Sequence, residues 1–139
     1  MTRSVLEESV TLKVPFHDVD SMQIVWHGNY PKYFAAARCA LLDKIDYNYH
    51  QMAESGFAWP VIDLRVRYVK PAVFNQEIVV TAKLAEFENR LKIDYLIRDA
   101  LSGARLTKGY TVQVAVDMKS NEMKLYSPQI LLDRLGIKS

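Results

Sequence analysis

The sequence predicts an α+β fold: an antiparallel sheet of about five to six strands wrapped around one long central helix. Three observations carry this expectation. Residues 30–45 hold a long run of helical apolar spacing, with Tyr30, Phe34, Ala37, Leu41 and Ile45 at steps of four, three, four and four. From Ala58 onward the apolar period changes to two. The runs that follow are separated only by Glu88-Asn89 and Leu101-Ser102-Gly103, short enough for hairpins. A helix apolar over much of its surface needs a sheet laid against it.

Taken in order, Val10, Leu12, Val14 and Phe16 alternate with Thr11, Lys13 and Pro15, which predicts a first strand over residues 9–16. Pro15 has no N–H to donate and belongs at the end or edge of that strand. A polar loop follows to about Gly28. Asn29 is expected to cap the long helix, with Pro31 in its first turn, where a missing N–H costs nothing. Ala35, Ala36, Ala40 and Leu42 widen its apolar surface, and Lys32, Arg38, Asp43 and Lys44 are expected on its polar side. Residues 47–56 suggest a short second helix stopped by Gly56. In the next strand Ile62, Leu64, Val66 and Tyr68 face one way, while Asp63, Arg65 and Arg67 face the other, and Pro71 ends the run. Further strands are expected over 76–87, 90–100 and 104–118, then a short one through Met123–Tyr126. Ser127-Pro128 opens a last short helix ending near Gly136.

A chain of 139 residues fits one domain, 1–139. A net charge of +2 with no basic run argues against a nucleic-acid partner. No apolar stretch approaches the roughly 20 residues of a membrane span, and Met1–Glu8 lacks the apolar core of a signal peptide. The single cysteine, Cys39, fits a reducing, cytoplasmic setting. One sheet around one helix leaves open edges, and pairing two sheets edge to edge closes them, so a homodimer or homotetramer is expected.

Chemistry concentrates in Phe16-His17-Asp18-Val19-Asp20 and Ser21-Met22-Gln23-Ile24-Val25-Trp26-His27-Gly28-Asn29-Tyr30. A carboxylate beside the free N–H groups of a helix start can act on a polarised carbonyl. The bland alternative for Asp20 is a turn former, since Asp bonds its own backbone in loops. His17, His27 and His50 are spaced too widely for a metal site on one helix. There is no Gly-x-Ser-x-Gly elbow and no glycine-rich phosphate loop, and Cys39 falls among Ala36, Ala37 and Ala40, where a small buried residue is expected.

The stretch resembles the hot-dog-fold acyl-CoA thioesterases of the 4-hydroxybenzoyl-CoA thioesterase type. The resemblance rests on Asp18-Val19-Asp20, Ile24-Val25-Trp26, His27-Gly28-Asn29-Tyr30 and Tyr33-Phe34, and on the order of elements over roughly residues 8–135. It implies that Asp20 is the catalytic carboxylate, as nucleophile or as general base for water. The backbone N–H of His27, with that of Gly28, would hold the thioester oxygen, and the His27 imidazole would assist. Trp26 and Tyr30, with Tyr33, would wall the acyl group; Gln23, where this chain departs from the family pattern, would either offer its amide to the substrate or simply fill the space. Arg90 and Lys92 stand where relatives place phosphate-binding residues; Arg65, Arg67 and Lys70 are further cations with the solvated-face reading. Asp18 is expected to order the loop and His17 to be solvated. CoA or phosphopantetheine would enter only as part of the substrate, with no separate cofactor and no metal, and an acyl carrier protein is a candidate partner. The relatives often carry a Gly two or three residues after the second acid, and this chain has none before Gly28. Two rivals remain: a 3-hydroxyacyl-thioester dehydratase and a non-catalytic acyl-thioester binding module.

Overall fold

The computed structural model describes residues 6–136, so most of the Met1–Glu8 expectation lies outside the described residues. The elements run β1 (Glu7–Lys13), α1 (Tyr30–Lys44), α2 (Tyr49–Glu54), β2 (Phe57–Ala58), β3 (Val61–Tyr68), β4 (Glu77–Glu86), β5 (Leu91–Asp99), β6 (Arg105–Gln113), β7 (Val116–Asp117) and α3 (Gln129–Arg134). The main sheet has five strands in the order β1-β4-β5-β6-β3, every neighbouring pair antiparallel. This is the hot-dog arrangement, with α1 packed against one face of the sheet.

Alternation fixes that face. Ile78, Val80 and Ala82 of β4 and Leu91, Ile93, Tyr95 and Ile97 of β5 point inward and are buried. From α1, Phe34, Ala37, Leu41 and Leu42 meet them, each large side chain contributing about 2 kcal/mol on burial. Phe34 stacks on Tyr95 with ring centroids 4.4 Å apart. Gly109 of β6 makes room for this stack, because a Cβ there would lie 2.9 Å from the Phe34 ring and 2.1 Å from the Arg65 carbonyl. The second helix begins with a reciprocal cap between Asn48 and Gln51 and stops before Gly56, whose φ is +92°.

Several expectations change. Arg38 is not on the polar side of α1: it is buried, with Nη2 and Nε donating to the Tyr49 hydroxyl at 2.8 and 3.1 Å and Nη1 reaching Tyr95 Oη at 3.4 Å. The phenols supply acceptors that the helix pattern could not show. Cys39 is exposed, its sulfur accepting a hydrogen bond from the Asn48 amide at 3.0 Å. The expected strand over 104–118 breaks after Gln113, and β7 leaves the main sheet to pair with β2. Met123 makes only an isolated bridge to Val116, so residues 123–126 form no strand.

The most consequential departure is β3. It is one edge of the sheet, and most of its apolar residues are not covered: Ile62 is 56% exposed and Leu64 43%, while Val66 packs against the core. Its period of two is as expected, but α1 lies mainly against β1 and β4 and meets β3 only at its end, where Tyr30 stands against Tyr68.

Candidate active site

The loop that carries the two acids is a tight hairpin. Val19 and Val25 pair, the Asp20 N–H donates to the Ile24 carbonyl at 2.9 Å, and the Gln23 N–H donates to the Asp20 carbonyl at 2.9 Å. Ser21, Met22 and Gln23 form the three-residue tip, a turn that ends in a left-handed residue. That residue is Gln23, with φ at +62°. A φ of this sign is one that glycine adopts without strain and that a residue with a side chain adopts at a cost. The Gln23 carbonyl accepts the Phe74 N–H at 3.0 Å, and Val25 N–H reaches Ala72 at 2.8 Å, which ties the hairpin to the segment after β3.

The acids take opposite roles within it. Asp18 is 2% exposed. Its carboxylate accepts from Lys32 Nζ and from the Tyr33 hydroxyl at 2.7 Å, both on the first turns of α1. Its backbone carbonyl accepts the Trp26 N–H at 3.0 Å and the Asn29 side-chain amide at 2.8 Å. Burial opposes ionisation of Asp18, but the Lys32 and Tyr33 hydrogen bonds together outweigh it and hold the carboxyl below its ordinary value. Tyr33 moves the other way, its phenol raised by burial and by the carboxylate it serves. Asp20 is exposed; Oδ1 accepts the Met22 N–H at 2.8 Å, and among the described residues Oδ2 has no partner. The turn thus occupies one oxygen of Asp20 and leaves the other open.

Asn29 does not cap α1. A 3-10 turn over His27–Asn29 runs directly into the helix, and the Asn29 side chain bonds the loop instead. The N–H groups of His27 and Gly28, which open this turn, face no acceptor among the described residues. Trp26 packs its indole over Gly28, where a Cβ would fall 2.2 Å from the ring, and sits 5.1 Å from the His27 imidazole.

Asp20, His27 and Tyr30 line one cavity of about 230 Å³, with Ile24, Tyr68 and Lys70. Tyr30 is buried, accepts the Ala72 N–H at 3.2 Å, and meets the Tyr68 ring at 5.1 Å. Trp26, Gly28 and Gln23 adjoin this cavity through their neighbours without lining it, and Tyr33 turns away to Asp18. Arg90 and Lys92 lie at the β4–β5 hairpin, 3.0 and 4.0 Å from Glu86, and Lys92 also covers the Tyr110 ring. His17 is exposed, its imidazole 3.6 Å from Asp18. Sequence reasoning missed Tyr68, whose hydroxyl donates to the His27 carbonyl at 3.1 Å and so steadies the helix start. Its alternation marked it as a core residue; only the closeness of the β3 end to α1 gives it this place.

A family model described as "Thioesterase-like superfamily" matches residues 14–132 of the chain. A Bacillus subtilis protein provisionally named an acyl-CoA thioesterase is 29% identical over 76 residues, 55% of this chain and 55% of that protein, so the match spans about half the length of the relative. A Synechocystis protein provisionally named an esterase is 24% identical over 127 residues, 91% of this chain and 76% of its own. Among solved structures, a 1,4-dihydroxy-2-naphthoyl-CoA thioesterase from Synechocystis superposes with a TM-score of 0.83 at 19% identity, covering 94% of this chain and 96% of that one. At that identity the likeness shows the fold.

Proposed function

The chain belongs to the Thioesterase-like superfamily, and on that premise we propose that it hydrolyses an acyl or aroyl thioester of CoA or of an acyl carrier protein to the free acid and thiol. One observation carries the reading: the Asp20 carboxylate lines one cavity with His27 at the helix start, and among the described residues Asp20 Oδ2 has no partner and the His27 and Gly28 N–H groups face no acceptor. In the reaction Asp20 attacks the thioester carbon, or takes a proton from water as the water oxygen adds there. The carbonyl oxygen gains negative charge against the His27 N–H, reinforced by the positive end of α1, and one such donor lowers the barrier by about 3 kcal/mol. The C–S bond then breaks and the thiolate leaves, taking up a proton to become the thiol, with the His27 imidazole positioned to assist. In the nucleophilic route, water cleaves the acyl–Asp20 anhydride and regenerates the carboxylate. Tyr30 and Tyr68 wall the acyl group, and no metal enters the scheme.

The test follows thiol release from a panel of acyl-CoAs and acyl-carrier-protein thioesters. Release that disappears in Asp20→Ala, with circular dichroism unchanged, supports hydrolysis, and full activity in Asp20→Ala would sink it. Loss of the 3-hydroxyl without thiol release is the result expected of a dehydratase, and binding without either product is that of a binding module.

The exposed edge of β3 supports self-association. Val61, Ile62 and Leu64 leave both backbone hydrogen-bonding groups and apolar side chains uncovered, which a second copy pairing along β3 would close. Sedimentation showing a dimer that Leu64→Asp converts to monomer supports this pairing; monomer at micromolar concentration in the unaltered protein removes it. Among the described residues no helix is long and apolar enough to cross a membrane, and a reducing cytoplasmic compartment is the setting that suits the lone Cys39.

A further inference from the structure

The His27 and Gly28 N–H groups, which face no acceptor among the described residues, belong to consecutive peptides, and each peptide is held from behind. The N–H of His27 shares its peptide plane with the Trp26 carbonyl, which accepts the Asn29 N–H at 2.9 Å. The N–H of Gly28 shares its plane with the His27 carbonyl, which accepts the Tyr68 hydroxyl at 3.1 Å. In the first case backbone holds backbone; in the second a side chain arrives from the end of β3. The sequence explains why a side chain serves there. A helical carbonyl is served by the N–H four residues on, and for His27 that residue is Pro31, which has none. Gly28 adds to the need, because without a Cβ its backbone rotates more freely than that of any other residue. Tyr68 is itself well fixed. It pairs with Thr107 in the sheet, the Val69 and Lys70 N–H groups just beyond it both bond the Leu106 carbonyl at 2.9 Å, and its ring meets the buried Tyr30 edge-on at 5.1 Å. Burial, and then the neighbouring Tyr30, raise the Tyr68 phenol above its ordinary pKa, so it keeps its proton at neutral pH and remains a donor.

We propose that Tyr68 is a positioning residue for thioester hydrolysis: through the His27 carbonyl, its hydroxyl fixes and polarises the peptide whose N–H, that of Gly28, is the second donor to the oxyanion. This role rests on the hydrolytic reading above. One hydrogen bond supplies two effects. The first is orientation. The His27–Gly28 peptide is planar and trans, so a fixed C=O direction fixes the N–H on the opposite side. A donor counts only when it lies within about 3 Å of the place the oxyanion takes, so a free rotation here would waste it. The second effect is polarisation. A donor on the carbonyl oxygen draws charge through the amide and strengthens its N–H as a donor, by roughly 10–30%. Both effects grow as the thioester oxygen becomes negative, so they act on the transition state more than on the bound substrate and belong to kcat. Tyr68 therefore reaches the reacting oxygen only through Gly28, while its ring separately lines the Asp20 cavity. Removing the hydroxyl and keeping the ring separates the two.

The experiment compares Tyr68→Phe, which keeps the ring and its contact with Tyr30, with the unaltered protein on an acyl-CoA that the latter hydrolyses. The expected result is a kcat lower by about fivefold to tenfold, the size of one hydrogen bond's net contribution, with KM changed by less than about twofold and the thermal midpoint close to that of the unaltered protein. A second readout is the infrared carbonyl band of an isotope-labelled ketone analogue, in which a methylene replaces the thioester sulfur and hydrolysis is blocked. The band moves to lower frequency on binding to the unaltered protein and is expected to move less in Tyr68→Phe; a ring acting only as a wall would leave that shift unchanged. Tyr68→4-aminophenylalanine puts a donor back at the end of the ring and is expected to recover most of the lost kcat, which a packing defect would not allow. Unchanged kcat in Tyr68→Phe, or a loss confined to KM, overturns the role and leaves hydrolysis by Asp20 standing. A lowered kcat with an unmoved carbonyl band overturns it equally. If the unaltered protein releases no thiol from any thioester, the hydrolytic reading falls and this role falls with it.

Discussion

Asp18 and Asp20 stand two residues apart on one hairpin and are chemically the same, yet the fold uses them in opposite ways. Asp18 is enclosed, and each carboxylate oxygen has a donor from α1. Asp20 lies in the open at the wall of a cavity, with one oxygen in a turn and the other without a partner among the described residues. The first fixes the hairpin onto the helix and the second inherits its position from that anchorage. A carboxylate saturated with hydrogen bonds is a poor nucleophile and base, whereas one with an uncommitted oxygen at a helix start is placed to act. On the proposed function, the pair divides holding from reacting.

The comparison is most sharply broken at Asp20. Asp20→Asn keeps an acceptor for the Met22 N–H and removes the charge, so kcat/KM for a thioester is expected to fall by about 10³-fold, with a thermal midpoint close to that of the unaltered protein. Activity retained in this variant would reduce Asp20 to a turn former. Asp18→Ala should do the converse, costing about 2–3 kcal/mol in urea unfolding, below the full cost of breaking a buried pair because Lys32 returns to water. Any loss of activity there should accompany loosening of the hairpin, read as faster amide exchange at Trp26.

The Asp18 contribution also has a pH signature. Because its folded-state pKa is lowered, the stabilisation is complete above the ordinary value of 3.8 and is lost as pH falls through the lower folded value. The stability gap between the unaltered protein and Asp18→Asn should therefore be constant near neutrality and close below about pH 4; the difference cancels the other acids. A gap that widens on acidification would contradict the assigned hydrogen bonds. The smallest effect is expected at Gln23→Gly, which relieves a left-handed residue and should stabilise by about 0.5 kcal/mol after the flexibility of glycine is offset.

Much of the fold was legible because its signals are local. The spacing of Tyr30, Phe34, Ala37 and Leu41 marks α1, and alternation marks the strands, since both follow from the period of the backbone. The same logic failed at Arg38. Residue type put it on the polar side of the helix, whereas Tyr49 and Tyr95, remote in sequence, provide the hydroxyls that let it be buried. It failed at residues 104–118 because β7 leaves the sheet for β2, a choice made by a strand some sixty positions earlier in the chain. At the candidate site Asp20, His27 and Tyr30 were readable as neighbours along one stretch, and Tyr68 and Lys70 were not, because they arrive from the far end of β3.

The sequence by itself determined the long apolar helix, the meander of antiparallel strands, and an acid–histidine loop at the helix start. Each depends on residues within a few turns or one hairpin of each other. Only the tertiary structure decided which of two acids is enclosed, that Gln23 carries the left-handed turn, and that Asn29 serves the loop in place of the helix. It also decided that β3 is a mostly uncovered edge and that its last residue, Tyr68, reaches the helix start. Burial, strand order and side-chain contact depend on which distant segments meet, and no local period encodes that.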